Sequence, residues 1–144
     1  MISINPYIVF QGKCKEAFAF YQTVFGGEIP HISLFKDMPP DPARPVPEAE
    51  KDLVLHMSLV INPHAILMGS DTSDSFGGAI KIGDNVSLSI NSNSKEEVDT
   101  LWGKLMEGGK VVMPLQKTFW GDYFSMGVDK YNINWMISFA MEKK

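Results

Sequence analysis

Three histidines, one cysteine and a scatter of carboxylates are the residues of this 144-residue chain with chemistry to offer. His56 has the clearest setting. It sits among alternating apolar residues in Asp52–Val60, a segment that reads as a strand. Imidazole is suited to proton transfer near neutral pH, so His56 is a candidate catalytic base or ligand donor. A lone strand histidine also serves simply to satisfy hydrogen bonds. His31 falls near a strand start and His64 in a turn, and three histidines on separate segments make no ligand spacing. Asp122 follows Phe119-Trp120-Gly121. A carboxylate beside aromatics is a second candidate catalytic group, and equally a solvated turn residue. Trp120 and Tyr123 have the rings to stack on a planar ligand, or to fill a core. Cys14 opens a predicted helix, where a thiol can be activated; burial as a small apolar residue is the alternative. Asp71, Asp74 and Asp84 lack the spacing of a calcium loop and read as turn residues.

The elements that must position these groups follow from periodicity. Thr118–Phe139 reads as two strands around the turn Asp129-Lys130-Tyr131-Asn132. In its second strand, Trp135, Ile137 and Phe139 form a bulky face that should lie on a helix layer. Asn134, Met136, Ser138 and Ala140 form a smaller face, suited to a cavity wall or to solvent. Upstream, Ile2–Phe10 reads as a strand. Cys14–Val24 reads as a helix, with Ala17, Phe18, Tyr21 and Phe25 at helical spacing and Gly26-Gly27 as its stop. Glu28–Phe35 is apolar enough for a strand. Met38–Glu50 holds five prolines and must be a loop, either a lid over a site or a surface tether. Asp52–Val60 and Ala65–Ser70 read as strands joined at Asn62-Pro63-His64. Asp71–Asp84 reads as a connector.

Then the pattern begins again. Asn85–Asn91 alternates as a strand does. Ser94 and Glu97 have capping-box spacing before a helix striped by Val98, Leu101, Leu105 and Met106, which ends at Gly108-Gly109. Lys110–Met113 is a further short strand, and the Thr118–Phe139 pair closes the set. Lys15-Glu16 and Lys95-Glu96 begin the two helices about 80 residues apart, and Tyr21 and Trp102 take similar places, which points to duplication rather than a solenoid. One helix covers one face of each sheet, so the other faces should curve together around a shared cavity.

Bulk numbers bound the rest. A chain of this length, 44% hydrophobic, suits one domain. Its net charge of −4, with no Lys/Arg cluster, gives no footprint for nucleic acid. No apolar stretch reaches a membrane span, and the N-terminus lacks the basic region and apolar run of a signal peptide. With a single cysteine no intrachain disulfide forms. A cytoplasmic protein is expected.

The duplicated βαβββ unit resembles the vicinal oxygen chelate superfamily, which contains glyoxalase I, extradiol dioxygenases and the bleomycin-resistance proteins. Within it the chain resembles the PhnB-like branch. The matching residues are Asn5-Pro6-Tyr7-Ile8-Val9-Phe10, Gly12 to Ala17, Phe20-Tyr21, Phe25-Gly26-Gly27, Met68-Gly69-Ser70-Asp71, Thr118-Phe119-Trp120-Gly121, Asp129-Lys130-Tyr131 and Asn134-Trp135-Met136-Ile137. The resemblance implies an α+β, glyoxalase-like fold: two tandem βαβββ modules forming a curved mixed sheet around a central cavity. Module one would span 1–71 and module two 85–144, with a linker at 72–84, all in one domain. A homodimer is implied as well. By the register of the family match, Phe10, Met68, Ser87, Ser89, Met136 and Ser138 would face the cavity, with Trp120 and Tyr123 at its rim.

Metal enzymes of the superfamily carry four ligand positions, usually His, Glu or Gln. The surrounding motifs place these at Pro6, Met68, Asn85 and Met136. None suits a divalent metal, since proline has no donor side chain and a thioether is soft. No metal and no cofactor are therefore expected. Branch members carry a ubiquinone-precursor methyltransferase description, yet the chain shows no Gly-rich strand–turn–helix loop to cradle a nucleotide-like cofactor. The expected function is binding of a small organic molecule. The alternative is a metal- or histidine-assisted lyase, isomerase or dioxygenase with His56 and Asp122 as catalytic groups.

Overall fold

The computed structural model describes residues 1–140; the last four residues of the second predicted module lie outside them. The chain divides into two compact units, Met1–Lys81 and Ile82–Lys144. In the first, β1 (Tyr7–Phe10), α1 (Cys14–Phe25), β2 (Ile32–Leu34), β3 (Val54–Asn62) and β4 (Ala65–Asp71) follow in order. The second repeats this plan with β5 (Leu88–Ser92), α2 (Lys95–Leu105), β6 (Lys110–Lys117), β7 (Asp122–Val128) and β8 (Asn134–Ala140). The sheets run β1-β4-β3-β2 and β5-β8-β7-β6. In each, the first strand is parallel to the last and the other neighbours are antiparallel. The α+β class and the tandem βαβββ plan hold. The described residues form two four-stranded mixed sheets and no closed barrel.

Each core lies between a helix and one face of its sheet. In the first unit Ala17, Phe18 and Tyr21 of α1 are fully buried, as are Met57 and Leu59 of β3. In the second, Val98, Trp102 and Leu105 of α2 are buried with Trp135 and Ile137 of β8. Fully burying such a side chain contributes about 1.5–3 kcal/mol, so these stripes hold the helices down. Gly127 lets α2 approach closely, since a Cβ there would meet Met106 and Trp102. Asn132 takes the left-handed conformation in the predicted 129–132 turn (φ 69°), and Asp129 caps that turn by accepting from the Tyr131 and Ile133 N–H groups.

Several boundaries move. The first strand starts at Tyr7 rather than Ile2, and Glu28–Phe35 shrinks to Ile32–Leu34 with an isolated bridge from Glu28 to Val60. The strand beginning at Lys110 runs on to Lys117, because bulges let it pass Pro114 beside β7. The capping box is relayed. Ser94 Oγ accepts the Glu97 N–H at 3.2 Å, but the Glu97 carboxylate accepts from Ser92 Oγ at 2.6 Å, and Ser92 in turn accepts the Ser94 N–H. The proline loop ends in a short 3-10 turn at Glu48–Glu50. It is tied to the connector: Glu50 accepts from Ser73 and Ser75, and the Arg44 guanidinium lies 5.0 Å from the Phe76 ring centre. Among the described residues no helix is long and apolar enough to cross a membrane.

Asp71 departs most from expectation. It is not a turn residue but the buried end of β4, 7% exposed. Helix α1 has no side-chain cap of its own at Lys13. Asp71 supplies one from the adjacent strand, accepting the N–H groups of Gly12 (3.0 Å) and Cys14 (2.9 Å), while its other oxygen accepts from Val54 (3.0 Å). A carboxylate at a helix N-terminus is favoured by the helix dipole and satisfies donors that the helix leaves open.

Candidate functional site

Each sheet has a face turned away from its helix, and these open faces hold four of the predicted site residues, His56, Met68, Asp122 and Met136. On the first sheet, Tyr7 pairs with Met68, and Met68 pairs with Ser58. His56 of β3 pairs with Ser33 of β2. The Tyr7 and His56 rings are stacked, with centroids 5.7 Å apart and planes 24° from parallel. The Tyr7 hydroxyl lies 3.5 Å from His56 Nδ1. His31 Nε2 reaches Ser33 Oγ at 3.0 Å, adding a second imidazole along the same strand edge. His56 is thus an exposed imidazole beside a phenol, a pair able to exchange a proton with a bound molecule. Met68 lies on this face. Phe10 does not. It is 4% exposed and meets Phe18 of α1 edge-on at 6.2 Å, so its predicted place on the cavity face is corrected: its bulk belongs to the helix layer.

On the second sheet, Ser89, Met136, Met126 and Met113 form one continuous row across β5, β8, β7 and β6. A parallel row pairs Ser138 with Asn91 and Phe124, and Ser138 Oγ donates to Asn91 Oδ1 at 2.9 Å. Asp122 lies at the start of β7 and accepts the Trp120 indole N–H at 3.0 Å. Trp120 meets Phe119 and Phe124 edge-on at 4.9 and 6.2 Å, and it is 57% exposed. Asp122, Trp120 and Phe124 therefore make one aromatic corner with a hydrogen-bonded carboxylate. Ser87 falls just before β5, outside the ladder, and Ser89 is the serine that pairs with Met136.

Tyr123 is placed elsewhere. It pairs with Phe139 on the helix face, and its hydroxyl donates to Asp99 of α2 at 2.9 Å. Lys95 bridges the same carboxylate at 3.1 Å and lies 4.8 Å from the Tyr123 ring centre. These bonds hold the Asp99 carboxyl below its ordinary range, the Tyr123 bond first and the Lys95 bond second. The Tyr123 phenol is pushed up by burial and then by Asp99, and Lys95 is raised by its bond to Asp99. A rim position for Tyr123 is thereby corrected: its polar end is committed to α2.

Cys14 is fully buried. Burial, and then the charge of Asp71, push its thiol well above the ordinary range, which disfavours the nucleophilic thiolate. The positions carried over from the metal enzymes do not fit a hard or borderline ion. Pro6 presents only its carbonyl, which accepts the Met68 N–H at 3.1 Å, Asn85 is exposed ahead of β5, and Met68 and Met136 offer thioethers. Among the described residues no group of three His, Cys, Asp or Glu side chains stands ready for a metal ion.

Tyr7, Met113, Met126 and Phe124 are residues on these faces that sequence reasoning missed. Placing Phe10 toward the cavity put Tyr7 on the wrong side of β1, since residues three apart on a strand face opposite ways. The bulk of Phe10 opposite the apolar stripe of α1 was the signal that could have reversed that choice.

The chain matches the family model described as 3-demethylubiquinone-9 3-methyltransferase over residues 2–138. It is similar to protein PA1353 from Pseudomonas aeruginosa, a crystal structure 34% identical with a TM-score of 0.84, covering 99% of this chain and all of that one. A PhnB protein from Bacillus cereus is 26% identical with a TM-score of 0.77, covering 96% of this chain and all of its own. Protein YjdN of Escherichia coli is 26% identical over 142 residues, 97% of each chain. A fosfomycin resistance protein, FosX, from Listeria monocytogenes shares the fold alone, at 14% identity and a TM-score of 0.65 over 99% of this chain.

Proposed function

This chain belongs to the PhnB-like family of the vicinal oxygen chelate superfamily, and on that premise we propose that it binds a small organic molecule without the superfamily's metal. The observation that carries the reading is the side-chain chemistry at the transferred ligand positions, Pro6, Met68, Asn85 and Met136. Two of the four are methionines on open sheet faces, beside aromatic rings and a few hydroxyls. An apolar, polarisable surface with a few polar groups is what an organic ligand requires for affinity and orientation. In this reading each open face is a ligand surface of its own: on the first sheet Met68 contributes contact area and His56 fixes a polar atom, and on the second Met136 and Trp120 contribute contact area while Ser89 and Asp122 fix polar atoms. The protein acts as a cytoplasmic homodimer.

The test is a thermal-shift screen of small aromatic and hydrophobic compounds, followed by calorimetry on the hits. Saturable binding at a fixed whole-number stoichiometry, without turnover, is expected. Metal near one per chain, retained after dialysis against Mn, Fe(II), Ni and Zn, would sink the metal-free reading. A monomeric mass by light scattering would remove the dimer.

A second reading, a histidine-assisted lyase or isomerase, is favoured by the stacked Tyr7–His56 pair. It requires pH-dependent turnover of a bound compound that is lost in His56→Ala.

A further inference from the structure

We propose that the open face of the second unit holds a site for a soft monovalent cation, Cu(I), built from Met113, Met126 and Met136. The three are direct partners across adjacent strands: Met113 opposes Met126, and Met126 opposes Met136. Met126 and Met136 leave the sheet on the face away from α2, because Ser125, Gly127, Trp135 and Ile137, which alternate with them, are the buried side of β7 and β8, and Met113 joins them as the direct partner of Met126.

Direct cross-strand partners have Cβ atoms about 5 Å apart, so three sulfurs on flexible stems can turn onto one point. A thioether donor carries no charge and no proton. It selects Cu(I) over the harder divalent ions that use carboxylate or imidazole. Nearby groups do not reverse that preference: Ser89 ends the row beside Met136, and the Asp122 carboxylate is engaged by the Trp120 indole.

Core filling is the competing role of methionine, and this chain shows what that looks like. Met57 of β3 is fully buried, and Met106, which closes α2 over Gly127 of β7, is 9% exposed. Met113, Met126 and Met136 are instead each left half-buried, side by side on an open face. The inference goes beyond organic-ligand binding and stands on different measurements.

The experiment uses the full chain carrying Cys14→Ala, which removes the competing thiol. Cu(I) is titrated anaerobically against a colorimetric Cu(I) chelator, with Ag(I) as a redox-inert check. One ion per chain is expected, bound through sulfur alone by X-ray absorption. Each of Met113→Leu, Met126→Leu and Met136→Leu should weaken binding by about tenfold or more. Absent binding, nitrogen or oxygen ligation, or unchanged binding in the triple variant overturns the proposal. Should a variant fold poorly, methyl-labelled methionine in the otherwise natural chain supplies a second reading. Ag(I) should move the methyl signals of residues 113, 126 and 136 and leave those of Met57 and Met106 in place. Equal movement of all five would also overturn it.

Discussion

Tyr7 and His56 stack across the width of β4, two strands apart, with the phenol oxygen 3.5 Å from the imidazole Nδ1. Neither ring is buried in the core: Tyr7 is 47% exposed and His56 is exposed as well. Such a pair contributes little to stability, so its value lies in what it presents. We expect Tyr7→Leu to erase the ring-current shift of the His56 ring protons while changing stability by less than about 0.5 kcal/mol, as surface substitutions do. An unchanged histidine spectrum would show that the rings do not stack in solution.

Asp71 is expected to be among the least replaceable polar residues. Its carboxylate holds three backbone donors drawn from the β1–α1 turn, the start of α1 and β3. Removing it leaves those N–H groups without a partner, at about 1–3 kcal/mol for each that stays buried. Asp71→Ala should therefore lower unfolding free energy by about 3 kcal/mol or more. Urea denaturation checks this, and a loss below about 1 kcal/mol, the ordinary effect of a point substitution, would show that the cap is dispensable.

Cys14 should behave as an inert thiol. It is fully buried, and both burial and the neighbouring Asp71 charge favour its protonated form. Alkylation by iodoacetamide at neutral pH should be very slow in native protein and immediate in denaturant. Rapid labelling of the folded chain would contradict the packing of α1.

The Lys95–Asp99–Tyr123 cluster gives stability a pH dependence of known sign. The folded carboxyl of Asp99 lies below its ordinary value, so its contribution is present above the ordinary carboxylate range and is lost as pH falls through the folded value. Lys95 and Tyr123 are raised, so their contributions are present below their ordinary values and fade as pH rises through the folded ones. The partners are solvent-accessible, and salt will screen the effect. In a carbon-detected titration Asp99 should titrate low, and Tyr123→Phe should move it back up. No movement in that variant would mean that the phenol does not hold the carboxylate.

Much of the architecture was legible in the residues. Helical spacing of Ala17, Phe18 and Tyr21, the Gly-Gly stops, the alternation of Trp135 and Ile137, and the repeat of the βαβββ order are local patterns, and local patterns survive folding because each segment must bury its own apolar stripe. The family resemblance, rather than these patterns, implied Met68 and Met136 as the positions where the superfamily's metal enzymes keep hard donors. What only the tertiary structure decided is which side chains become neighbours. The Tyr7–His56 stack joins residues 49 positions apart in the chain. The cap of α1 comes from Asp71, 57 residues from Cys14. The register of Met113 against Met126 depends on the bulge that follows Val111 in β6. A slip of one residue in a strand reverses every side chain, so register cannot be read from composition or period. The same reason explains the two misplaced aromatics. Phe10 and Tyr123 each fit either face by type, and it was the approach of α1 and α2 that drew them to the helix side.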